Sequence, residues 1–77
     1  MKYMLIVIKT KVDLRDTPVG ARLLTALTIQ TCDEVYYNYK YLCLEKDLDY
    51  LMLMLDHYAP DFEITNIRPS KWEDIIF

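Results

Sequence analysis

Seventy-seven residues, 53% of them apolar and 27% charged, make one short domain near the lower size limit for a single hydrophobic core. This composition excludes a disordered chain, and since no run of 18 apolar residues occurs, the sequence contains no membrane-spanning helix pattern. The formal net charge of −3 is also too small for a convincing acidic mimic of nucleic-acid phosphates.

The charge is unevenly divided along the chain. Residues 1–22 carry five basic and two acidic side chains, whereas residues 23–77 carry four basic and ten acidic ones. Such a split favours contacts between copies of the chain or with a charged partner, although an ordinary solvated surface would also carry it.

Only two cysteines occur, Cys32 and Cys43, without the CxxC spacing of a redox or metal motif. The apolar run over residues 3–8 is too short for a signal-peptide core. We therefore expect reduced thiols and a soluble protein of the cytoplasm.

The first two predicted elements are a strand and a helix. Residues 2–9 are rich in β-branched side chains and apolar at both parities, as in a strand in the middle of a sheet. Thr17 and Pro18 then provide an N-cap hydroxyl and a proline suited to the first helical position. We predict a helix over residues 18–31, with the lone glycine, Gly20, in its first turn and Cys32 at its end.

The next segment, Val35–Leu44, alternates cleanly and contains no hairpin turn signal, so it predicts one long strand. The face expected to meet the helices carries Val35, Tyr37, Tyr39, Tyr41 and Cys43. The other face carries Tyr36, Asn38, Lys40, Leu42 and Leu44, which leaves Tyr36 and Lys40 on an open sheet surface.

Residues 47–58 predict a second helix, capped by Asp47 and stopped by Pro60, with two apolar stripes. The first stripe is Leu48, Leu51, Met52, Leu55 and Tyr58. The second is Tyr50, Leu53, Met54 and His57. A single small sheet cannot cover both, so the second stripe is either covered by the C-terminal segment or exposed to a partner.

The remaining pattern completes the predicted fold. Residues 62–67 predict a third strand, and residues 70–73 have capping-box spacing, so a short last helix would carry Trp72, Ile75 and Ile76. The predicted fold class is α+β, with a two-layer architecture. A three-stranded sheet in β-α-β-α-β order carries two helices on one face and a short C-terminal helix, all within a single domain. A hairpin within residues 34–45 would convert this into a ferredoxin-like sheet.

No pattern for catalysis, a cofactor or a metal is present. The only histidine, His57, follows Asp56, but adjacent helix residues point about 100° apart and do not pair. Asp47 and Asp49, with Glu45 nearby, lack the glycine and distal glutamate of a calcium loop. We therefore expect a protein that is not an enzyme and takes no cofactor.

The leading hypothesis is a homodimeric protein-binding module that acts through the second helix stripe: Tyr50, Leu53, Met54 and His57. It would inhibit or complete a larger protein, as small acidic single-domain proteins, phage-encoded viral ones among them, often do. Tyrosine and methionine suit such an interface. If this stripe is the dimer contact, Leu53→Glu should give a folded monomer.

The alternative is a single-stranded nucleic-acid-binding protein. Aromatic and basic side chains on an open sheet face can stack unpaired bases, and the candidates are Tyr36, Lys40, Lys9 and Lys11. The acidic pI of about 4.9 argues against this use of the sheet.

Overall fold

The computed structural model describes residues 2–70 and shows an antiparallel sheet with one α-helix packed on one face. The elements are strands β1 (Tyr3–Thr10), β2 (Arg22–Gln30), β3 (Val35–Leu44) and β4 (Glu63–Pro69), a 3-10 turn (Glu45–Asp47) and helix α1 (Leu48–Tyr58). The four strands lie in the order β2-β3-β1-β4. No helix in the described part of the chain combines the length and apolar character needed to cross a membrane.

The predicted helix over residues 18–31 is wrong, because most of this segment forms strand β2. Thr25, Thr28 and Ile29 are β-branched and pack more readily on a pleated surface than in a helix. Both threonines therefore belong to the strand. Cys32, expected at a helix end, lies exposed in the turn between β2 and β3.

The predicted architecture is therefore wrong as well. The described chain has four strands and one α-helix, not three strands and two helices. The hairpin that the ferredoxin-like alternative placed within residues 34–45 is absent, since β3 is continuous, and the hairpin instead joins β2 to β3. Its turn is held by a hydrogen bond of 2.8 Å from the Thr31 N–H to the Glu34 carbonyl. The short helix predicted after Ser70 lies outside the described residues.

The core lies between α1 and the two central strands. Ile6 and Ile8 of β1 pair in register with Tyr41 and Tyr39 of β3, and all four side chains are almost fully buried. From α1, the first predicted stripe contributes Leu51 and Leu55, both fully buried. The inward orientation predicted for Tyr37, Tyr39, Tyr41 and Cys43 is confirmed, whereas Val35, at the end of the strand, is exposed.

A loop, rather than a second helix, completes the core beside α1. Between β1 and β2, residues 11–21 place Leu14 and Val19 in the same core as α1. The Leu14 N–H donates a 2.8 Å hydrogen bond to the buried Tyr39 hydroxyl, which in turn donates to Asp13 at 3.2 Å. Burial raises the pKa of Tyr39. The loop is thus fixed to the central strand through one phenol.

Candidate protein-binding surface

The second helix stripe divides into an exposed part and a packed part. Leu53 is 65% exposed and Tyr50 53% exposed, and His57 is also exposed. Met54 is instead partly buried and packs against the core. The exposed residues form the surface that we call the helix patch: Tyr50, Leu53 and His57.

Tyr50 is held in place by the only glycine of the chain. Gly20 has a φ of +81°, a backbone conformation that residues with a Cβ rarely adopt. A Cβ added at Gly20 would lie 2.5 Å from both Cδ1 and Cε1 of Tyr50. The tyrosine ring therefore packs directly on the Gly20 backbone, which fixes one edge of the helix patch against the loop.

The C-terminal end of the patch is aromatic and its margins are acidic. The His57 and Tyr58 rings meet edge to face with centroids 4.8 Å apart. Asp49 and Asp56, also exposed, lie on the same outward side of α1 as Leu53. A binding partner would therefore have to offer an apolar surface bordered by basic groups.

The candidate residues of the nucleic-acid alternative also come together, on the sheet face opposite α1. The ammonium nitrogens of Lys9 and Lys11 lie 4.3 Å and 5.7 Å from the centroid of the Tyr36 ring. Lys40 lies further along the same face, opposite Val7 in the register of β1 and β3. A cleft of about 330 Å³ borders this group.

Acidic side chains neutralise much of this basic surface. Lys11 forms an ion pair with Glu34 at 3.1 Å, and Lys9 lies opposite Glu63 in the pairing of β1 with β4. Asp61 accepts hydrogen bonds from the Thr10 hydroxyl at 2.6 Å and from the Lys11 N–H at 2.8 Å, and the first of these is the main reason why its pKa is lowered. Within the described residues, these carboxylates offset the positive charge with which Lys9 and Lys11 would attract phosphates.

Sequence reasoning missed a further apolar region on β2. Leu27 is 61% exposed and Ile29 41% exposed, and register places them beside Asn38 and Tyr36 on the open sheet face. Alternation from Thr25 onwards is the available signal, but the helix start at Thr17 and Pro18 competes with it. The open face is therefore more apolar than the sequence analysis indicated.

Within residues 2–70, no three acidic, histidine or cysteine side chains come together in a group able to hold a metal ion. Comparison with known proteins gives no match to a family model, a curated protein or a solved structure.

Proposed function

We propose that this chain is a small non-enzymatic protein-binding module that inserts the helix patch into an apolar groove of a larger protein, as an inhibitor or an accessory subunit. The observation that carries the proposal is the 65% exposure of Leu53 in the middle of a helix whose opposite side is fully buried. Tyr50 and Leu53 lie three residues apart on one helix, which is the anchor spacing of helix-in-groove recognition.

The patch is small, which decides the kind of partner. A stable interface usually buries about 800 Å² on each side, and three side chains on one helix supply only part of that area. A concave partner would supply the missing contact area, because it would surround the helix and also contact the acidic residues at the margins of the helix patch. The same limit argues against two helix patches meeting each other as the main contact of a homodimer.

The experiment is affinity capture from the native host with three baits: the wild type, Leu53→Glu and the control Ile64→Glu. Ile64 is also an exposed apolar residue, with 43% of its surface accessible, but it lies on β4 rather than on α1. Burial of one leucine corresponds to a loss of about tenfold to a hundredfold in affinity on substitution. A protein retained by the wild type and the control, and lost with Leu53→Glu, is the expected result.

Folding controls accompany the baits. Because Leu53 is exposed, the free energy of unfolding of Leu53→Glu should lie within about 0.5 kcal/mol of the wild type. Equal recovery of the same proteins by all three baits would contradict the proposal.

The nucleic-acid alternative has one observation in its favour, the two lysine ammonium groups beside the Tyr36 ring. Fluorescence titration with a short single-stranded oligonucleotide at low and high salt tests it. Salt-sensitive binding that is lost in Tyr36→Ala would favour this alternative, and absence of binding at low salt would remove it.

A further inference from the structure

The two edges of the sheet differ in how they are protected. An edge strand presents unpaired backbone groups, and proteins commonly shield such edges with charges, prolines or bulges. The β4 edge has all three: Glu63 and Arg68, Pro69, and an irregularity in its pairing with β1. From residue 23 to residue 30, β2 has neither a charged residue nor a proline.

The unprotected part of β2 is regular and open. Its one pairing irregularity lies at Leu24, and residues 25–30 pair regularly with β3. Every residue of this segment is exposed, including Leu27 and Ile29. Within the described residues β2 pairs only with β3, so its other edge is free to pair with a further strand. An uncharged edge of this kind would promote aggregation unless a specific partner covers it.

We infer that β2 pairs antiparallel with β2 of a second copy of this chain, around a two-fold axis at Leu27. The segment complements itself, because it has no charge that its copy would repel and an antiparallel strand satisfies the free backbone groups of both edges. With this register Leu27 faces the copy's Leu27, and Thr25 faces the copy's Ile29. The exposed apolar side chains of the edge then cover one another.

This pairing makes one continuous sheet of eight strands. A two-fold axis between antiparallel edge strands is perpendicular to the sheet, so both copies of α1 lie on the same side of it. The helix patches are not part of the contact and remain exposed. The inference therefore does not depend on the proposed function of that patch.

Sedimentation equilibrium over a wide range of protein concentrations tests the pairing. The wild type should dimerise reversibly. Leu27→Lys should weaken the dimer by about a hundredfold, because each copy loses a buried leucine and two ammonium groups meet near the axis. The control Ile67→Lys, on the other edge strand and 42% exposed, should leave the association unchanged. A wild type that stays monomeric, or a dimer weakened by Leu53→Glu and not by Leu27→Lys, would overturn the inference.

Cross-linking tests the register without requiring a destabilised variant. In a Cys32→Ser background, Leu27→Cys should form an intermolecular disulfide on mild oxidation, because directly opposed Cα atoms lie roughly 4.5–5.5 Å apart. Thr28→Cys serves as the control, since it faces Ala26 of the copy and lies too far from its own counterpart. Equal cross-linking at both positions, or none at Leu27→Cys, would refute the pairing.

Discussion

Replacement of Gly20 by alanine should destabilise the protein through two separable effects. The φ of +81° places the backbone in the left-handed region, where a Cβ costs about 1–2 kcal/mol. The new methyl group would also lie 2.5 Å from two ring carbons of Tyr50, so the ring must leave its position against the loop. A displaced rotamer and lost packing add about 1 kcal/mol. We expect a total loss of about 2–3 kcal/mol, which is a large part of the stability of a small domain.

Urea denaturation of a double-mutant cycle measures the two effects separately. In Tyr50→Ala the ring is absent, so Gly20→Ala should then cost only the backbone contribution, about 1–2 kcal/mol. The difference between the two backgrounds is the coupling between Gly20 and Tyr50. An unfolding free energy of Gly20→Ala within about 0.5 kcal/mol of the wild type would refute the reasoning. An identical cost in both backgrounds would show that the ring does not pack on Gly20.

Three further predictions concern two core tyrosines and one acidic side chain. Tyr39→Phe should cost about 1–3 kcal/mol in urea denaturation, because the Leu14 N–H loses its buried acceptor. Tyr41→Phe should be neutral or stabilising by up to about 1 kcal/mol, because the Tyr41 hydroxyl has no hydrogen-bond partner among the described residues and burial raises its pKa to about 12. Asp61 has a pKa below its usual 3.8 in the folded protein, so its contribution is present above that value and is lost as the pH falls through the folded pKa. Stability of the wild type should therefore fall more steeply with acidification below about pH 4 than that of Asp61→Asn, as followed by urea midpoints, and parallel curves would contradict this assignment.

The elements with one clear period were predictable. Val35–Leu44 alternates without interruption, and it forms a strand over those residues. Residues 47–58 repeat apolar side chains at helical spacing up to Pro60, and α1 covers nearly the same range. In both segments the local pattern and the tertiary packing favour the same structure.

Strand β2 was not predictable in the same way because two signals conflicted. Thr17 and Pro18 imitate a helix start, yet the positive φ of Gly20 excludes a helix there. The pairing with β3 decides the structure of the following residues. The local sequence pattern does not reveal a pairing between segments that are far apart in the chain. The alternation that begins at Thr25 is the weaker of the two signals in the sequence. The segment nevertheless forms a strand, because pairing with β3 stabilises it.

The candidate site was predictable only in part. The helical period identified Tyr50 and Leu53 as members of a second stripe, and both are exposed. It could not show that Met54 turns towards the core, because loop residues 11–21 occupy that side of α1 without any periodic pattern of their own. The β2 edge escaped prediction for a related reason: an edge is a property of strand order, which depends on contacts far apart in sequence.

The central position of β1 also constrains how the molecule is made. This apolar strand precedes both of its partner strands along the chain, since Tyr3 pairs with Leu44 and Met4 with Pro69. During synthesis β1 can therefore pair only once the later segments β3 and β4 have also left the ribosome. Until then β1 lacks its native partners, and long-range pairing of this kind favours slow folding and exposure of the nascent chain to aggregation or to chaperones.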